Sequence, residues 1–211
     1  KVWETISTTK ENVREYVDTV VPEVIYTYRI RAYNPYGYSS YSEEVSGNTM
    51  NPPTNLTAEA TGSRVLLSWI DNSQREEKIE VYRRVGRTLQ KLATLPANST
   101  SYLDETTEFD KTYSYYMRYY NGQNFVDSTV ITITVLPAPS NLKVTAISST
   151  SVQVSWADNS TQEKAYVVER KDGTSGKWKE VASLSPSSEV YKDVELIPGF
   201  TYFYRVKCIS E

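Results

Sequence analysis

The chain contains no histidine and a single cysteine, Cys208, in 211 residues. With one cysteine no disulfide can form within it. Without histidine the Ser-His-Asp constellation and the common zinc sites each lose a member. A missing disulfide leaves the compartment open and removes only the usual mark of a small secreted domain. There is no excess of positive charge either. The 23 basic and 26 acidic residues leave a formal net charge of −3, which supplies no field to hold nucleic acid or an anionic membrane. No apolar run approaches the roughly 20 residues of a membrane span, so no membrane insertion is expected. No stretch keeps a 3.6-residue period over three turns, so helices are not expected. Phenylalanine and tryptophan are scarce, four of each, whereas tyrosine reaches 18.

What the chain does have is repetition. Trp69-Ile70-Asp71-Asn72-Ser73 returns as Trp156-Ala157-Asp158-Asn159-Ser160, 87 residues later. The register then holds: Glu76 matches Glu163, Val81 matches Val168 and Arg83 matches Arg170. A Tyr-x-Asp element occurs three times, ending at Asp18, Asp104 and Asp193. A fixed period with matching turn chemistry marks tandem units. Proline-bearing joints, Asn51-Pro52-Pro53 and Leu136-Pro137-Ala138-Pro139, divide the chain into 1–51, 52–137 and 138–211.

Each unit reads as strands of alternating polarity. In the first, strands are expected around Trp3 to Ile6, around Tyr16 to Asp18, over 26–32 and over 43–49. There Tyr26, Tyr28, Ile30 and Ala32 face one way while Thr27, Arg29, Arg31 and Tyr33 face the other. In the second and third, alternation buries Trp69, Trp156, Tyr113, Tyr115, Tyr202 and Tyr204 and exposes Arg118, Arg205 and Lys207. The first unit lacks opening strands and the third its last. Strands of another copy, or of a longer polypeptide, are expected to complete them.

The set of motifs resembles the fibronectin type III module. It comprises the Pro-x-x-Asn-Leu opening at Pro52 to Leu56, repeated at Pro137 to Leu142 with one extra residue, and the strand-ending Trp69 and Trp156. The corner Leu196-x-Pro198-Gly199-x-x-Tyr202 and the turn Asn34-x-x-Gly37-x-Ser39 belong to it as well. The resemblance implies an all-β chain of antiparallel sandwiches, immunoglobulin-like and arranged end to end. It also implies that Tyr26, Tyr113 and Tyr202 are tyrosine-corner residues within the structural core. The second unit departs from the pattern, with Phe109-Asp110-Lys111 where Pro-Gly is expected. The Trp-x-Asp-Asn-Ser turn resembles the variant of bacterial extracellular proteins.

Few residues suggest chemistry. Asp71 and Asp158 carry oxygens that suit calcium, but one Asp-Asn-Ser per unit offers too few ligands, and a turn held by its own side chains is the simpler reading. Glu76-Glu77 reads as a solvated acidic patch and Cys208 as a small core residue. Asn55, Asn98 and Asn159 each open a glycosylation sequon, a weak motif. No catalytic residue, metal or cofactor is expected. The candidate binding surface is aromatic: Tyr36, Tyr38 and Tyr41 crowd the last loop of the first unit, and Tyr116 and Tyr120 flank Arg118 on the outward face of the second. Exposed tyrosines suit a protein partner or sugar rings, and the alternative is that they serve only as cross-strand pairs with Arg118 laid over a ring. The expected function is a non-enzymatic spacer or adhesive array of a bacterial secreted or cell-surface protein. The rival expectation is a carbohydrate-binding accessory module of a polysaccharide-degrading enzyme.

Overall fold

A computed structural model describes residues 2–210, among which there are 18 strands, every pairing is antiparallel, and no helix occurs. The first unit contributes β1 (Tyr26–Tyr28), β2 (Tyr33–Asn34), β3 (Gly37–Tyr38) and β4 (Val45–Gly47), with β1 on β4 and β2 on β3. No strand forms over residues 2–25, contrary to the expectation at Trp3 and Tyr16, and the strand expected over 26–32 stops at Tyr28. The interruption has a local cause. The amides of Ile30 and Ala32 donate to the hydroxyls of Ser42 (3.1 Å) and Ser39 (2.9 Å) instead of to main-chain carbonyls. A side chain in the place of a carbonyl breaks the ladder into two short pieces.

The second unit runs β5 (Thr54–Thr61), β6 (Arg64–Ile70), β7 (Lys78–Val85), β8 (Thr88–Pro96), β9 (Ser101–Asp104), β10 (Lys111–Asn121), β11 (Asn124–Asp127) and β12 (Ile131–Val135). One sheet has the order β5-β6-β9. The other has β11-β10-β7-β8, with β12 on the same edge of β10 as β11. The serine device recurs here, since the Met117 amide donates to the Ser128 hydroxyl (3.0 Å) and splits the last strand into β11 and β12. The inner faces of both sheets meet in one core. Val65, Leu67 and Trp69 pack against Ile79, Val81, Tyr113, Tyr115, Met117, Tyr119 and Val135. Period-two alternation puts Tyr113, Tyr115, Met117 and Tyr119 on one face of β10 and leaves Ser114, Tyr116, Arg118 and Tyr120 on the other.

In the third unit β13 (Ser140–Ser148), β14 (Ser151–Ala157) and β17 (Val190–Asp193) form one sheet, and β16 (Trp178–Leu184), β15 (Ala165–Asp172) and β18 (Tyr202–Ile209) the other. Among the described residues it has no counterpart of β12, the strand that lies beside β5 in the second unit. Every residue of β13 is accordingly exposed, while Leu56 of the matching β5 is buried. The same opening explains two corrections: Tyr202 and Tyr204 are half-buried rather than buried. Tyr26 is half-buried too, in a unit whose Ile30 is 74% exposed.

The tyrosine corner appears three times. The hydroxyls of Tyr26, Tyr113 and Tyr202 accept from the amides of Val21 (3.3 Å), Glu108 (2.8 Å) and Ile197 (3.0 Å). The second corner forms without Pro-Gly because Asp110 adopts the left-handed backbone (φ 57°) that Gly199 adopts in the third (φ 75°). Two residues past each corner, Tyr28, Tyr115 and Tyr204 donate to Asp18 (3.0 Å), Asp104 (2.9 Å) and Asp193 (2.8 Å), the aspartates of the Tyr-x-Asp element. In the two later units an arginine joins them. Arg83 and Arg170 each lie 2.7 Å from the carboxylate.

The second and third cores differ by a compensated exchange. Trp69 donates its indole N–H to the Tyr119 hydroxyl (2.9 Å), and burial, followed by the nearby Asp71 charge, pushes that phenol's pKa up. In the third unit Cys208 stands where Tyr119 stands, and Tyr166 stands where Ile79 stands. The tyrosine has moved to the neighbouring strand and still donates to the turn aspartate, Asp158. Its ring packs on Trp156 with centroids 5.7 Å apart. Among the described residues the Trp156 indole N–H has no partner. Cys208 is half-buried and its thiol donates to the Pro137 carbonyl (3.2 Å).

Candidate interaction surfaces

The outward face of the first unit is a stack of alternating rings and guanidiniums. Extended backbone past β1 sends Arg29 and Arg31 to the same side, and the serine-bonded segment opposite delivers Tyr38 and Tyr41. Arg29 lies 3.9 Å over the Trp3 ring and 3.9 Å over Tyr41. Arg31 lies 3.9 Å over Tyr38 and 4.7 Å over Tyr41. The order along the surface is therefore Trp3, Arg29, Tyr41, Arg31, Tyr38, with Tyr33 tilted against Tyr38 at 6.0 Å. Among the described residues neither guanidinium is in an ion pair. Each keeps its charge and the N–H groups along its edge. Tyr36 stands apart at the loop tip, 98% exposed, where its amide donates to the Asn34 side chain (2.9 Å).

The corresponding face of the second unit is spent on itself. Tyr116 stacks on Tyr82 at 4.9 Å with rings 5° from parallel. Arg118 holds Asp127 with two bonds (2.7 and 2.8 Å) and lies 3.9 Å over Phe125. This fork keeps Arg118 half-buried rather than exposed as expected. Tyr120 lies 6.1 Å from Phe125 and 4.5 Å from the Lys78 ammonium. Beneath them Glu80 is buried, and it accepts from Tyr82 (2.6 Å), Lys91 (3.1 Å) and Lys78 (3.2 Å). Burial alone would raise its pKa, but these three donors outweigh burial and hold it at about 2. The third unit follows the second. Glu169 takes Arg205 and Lys207, while Arg205 and Lys171 lie over Trp178 and Phe203 at 4.5 Å each.

Structure thus brings Tyr38 and Tyr41 together, leaves Tyr36 alone, and places Tyr116, Arg118 and Tyr120 on one self-satisfied face. Sequence reasoning missed Arg29, Arg31 and Trp3 as parts of the surface. The available signal was the Arg-x-Arg alternation facing Tyr38 and Tyr41. The acidic pair Glu76-Glu77 is also corrected: Glu76 is buried and accepts from the Asn98 amide (3.0 Å), as Glu163 does from Ser187 (3.0 Å). Among the described residues no group of three His, Cys, Asp or Glu side chains could hold a metal ion, and no helix is long and apolar enough to cross a membrane.

The fold is all-β and built of several antiparallel sheets. Residues 137–211 match the family model of the fibronectin type III domain. Over 214 residues the chain is 26% identical to the netrin receptor DCC of human, and equally to that of mouse and rat, covering 92% of this chain. It spans about 15% of the length of those receptors. Among solved structures it is similar to a segment of two fibronectin type III domains from chicken tenascin, with 19% identity, TM-score 0.38, and coverage of 75% of this chain and 91% of that one. It is also similar to the FN1–FN3 domains of chicken CNTN1, with 16% identity, TM-score 0.43, and coverage of 90% and 73%. The relatives named here are vertebrate proteins and lend no support to a bacterial source.

Proposed function

We propose that this chain is part of a non-catalytic extracellular or cell-surface array of fibronectin type III units that presents an adhesive surface to a protein partner. The observation that carries this reading is the contrast between faces. Arg118 and Arg205 are neutralised by Asp127 and Glu169, whereas Arg29 and Arg31 are held between rings and, among the described residues, are in no ion pair. Arginine and tyrosine are the residues that anchor protein interfaces. Guanidiniums already fixed by aromatic neighbours lose little freedom on binding. The DCC relatives are named as receptors of netrin, a protein, which favours the same class of partner.

A second reading, polysaccharide binding, rests on Tyr36 alone. A sugar stacks on a free ring face, and Tyr38 and Tyr41 already lie under guanidiniums, while Tyr36 is 98% exposed. Surface plasmon resonance against purified ectodomain proteins, a netrin first, run beside a panel of neutral and acidic polysaccharides, separates the two. Protein binding that survives Tyr36→Ser supports the proposal. Polysaccharide binding that Tyr36→Ser abolishes, with no protein bound, would replace it by the second reading.

A further inference from the structure

We infer that the repeated Asp-Asn-Ser turn is a docking site for an acidic side chain of the preceding unit, and that this contact locks consecutive units in one fixed orientation. The inference stands on two joints built from the same positions 87 residues apart. At the joint between the second and third units, Asp110 reaches across to the turn of the third. Its Oδ1 accepts from the Ser160 hydroxyl (2.8 Å), and its Oδ2 accepts from the Thr161 amide (3.0 Å) and hydroxyl (3.1 Å). At the earlier joint Glu23, 87 residues before Asp110, accepts from the Gln74 amide (3.2 Å) and the Asn51 amide (2.8 Å). Gln74 is likewise 87 residues before Thr161.

Both acidic residues are presented in the same way. Each occupies the tyrosine corner in the left-handed conformation, Glu23 at φ 67° and Asp110 at φ 57°. Each donates its amide to the closing strand segment of its own unit, Glu23 to Thr49 (2.8 Å) and Asp110 to Val135 (2.7 Å). Left-handed backbone is uncommon for a residue with a side chain. Its use at this position, where the fold accommodates glycine, trades local ease for a carboxylate aimed outward. Burial works against the ionised form of Glu23, but its bonds to Asn51 and Gln74 outweigh burial and hold its pKa below the usual value.

The receiving turn is equally committed. Asp71 and Asp158 accept from the amides of Ser73 (3.0 Å) and Ser160 (2.9 Å), which shapes the loop. Asn72 and Asn159 donate to the linker carbonyls of Pro52 (3.0 Å) and Ala138 (2.8 Å), which ties the joint to the turn. The serine and the residue after it then face the incoming carboxylate. In the third unit the corner residue is Gly199, which has the same backbone and no side chain. Its corner cannot make this contact, so the contact depends on which residue occupies the position and is not inherent in the fold.

Gly199 also supplies the test. Asp110→Gly keeps a left-handed corner and removes only the carboxylate. Residual dipolar couplings on the full chain report whether the second and third units share one alignment tensor. Joints without a specific lock leave modules to move relative to one another. The wild type is expected to show one tensor for both units, and Asp110→Gly to lower the third unit's alignment relative to the second by about twofold or more. Ser160→Ala with Thr161→Val should loosen the same joint from the other side. Amide signal dispersion of each unit checks that folding is intact, and should Asp110→Gly disturb its corner, the second pair of substitutions reads the joint alone. Equal tensors in these variants, or unequal tensors already in the wild type, would overturn the inference.

Discussion

Arg83→Met tests the buried polar cluster of the second unit most severely. Arg83 and Asp104 have side chains 9% and 1% exposed and lie 2.7 Å apart. Arg83 also bonds Thr106 (2.9 Å) and Gln90 (2.9 Å), and its guanidinium lies 5.2 Å over the Tyr113 ring. Removing one member of a buried ion pair costs about 3–5 kcal/mol, because the other charge stays buried. Asp104 would keep three donors, the Tyr115 hydroxyl and the amide and hydroxyl of Thr106. The loss therefore belongs near the lower end, about 3 kcal/mol. For a domain of this size that is a shift of at least about 12 °C in Tm. Hydrogen exchange of amides in β6 and β10 reads the second unit directly, with third-unit amides as an internal control. Asp104→Asn added to Arg83→Met should recover part of the loss by removing the stranded charge. A loss under about 1 kcal/mol for Arg83→Met, or no recovery in the double variant, would refute the reasoning.

Acid should act on the same cluster. Burial opposes the ionised form of Asp104, but bonds from Thr106, Tyr115 and Arg83 outweigh it and hold the pKa below its ordinary value, as Glu80 is held at about 2. Both folded pKa values are depressed, so their contribution is complete above about pH 5 and falls away as pH drops toward the folded values; urea midpoints from pH 7 to pH 2 check this. Trp156→Ala should cost about 3–5 kcal/mol. Asp158→Ala should cost about 1–3 kcal/mol, since it strands the Tyr166 hydroxyl as well as the Ser160 amide, and equal Tm shifts would contradict this ordering. Cys208→Tyr alone should overpack the third core by about 1–3 kcal/mol. Adding Tyr166→Ile recreates the arrangement of Ile79 and Tyr119 and should restore most of the loss in thermal unfolding.

The parts of this structure that were legible in the sequence are those fixed by local period. Alternation placed Tyr113, Tyr115, Met117 and Tyr119 on one face because a strand has only two faces and the core claims one. The Asp-Asn-Ser turn was legible for the same reason, as its bonds run between neighbours in the chain. Features that depend on contacts distant in sequence were not legible. Glu76 looked like a solvated acid because its amide partner, Asn98, lies across the sheet edge. The broken strands of the first unit depend on Ser39 and Ser42 competing for amides about ten residues away. Asp110 looked like a defect in a corner, and only the position of the next unit's turn shows what its carboxylate meets. The proposed binding surface was half legible: its tyrosines were visible, but the arginines between them were not singled out.

The most direct test of the adhesive reading compares arginines on the two kinds of face. Binding of a partner ectodomain is measured for the wild type, for Arg29→Ser with Arg31→Ser, and for Arg118→Ser, each at two salt concentrations. The first pair should weaken binding by at least about tenfold, as loss of interface anchors does, and should flatten its salt dependence. Arg118→Ser should leave affinity unchanged, because its charge is already answered by Asp127. Unchanged binding in the Arg29 and Arg31 variant, with loss in Arg118→Ser, would contradict the account.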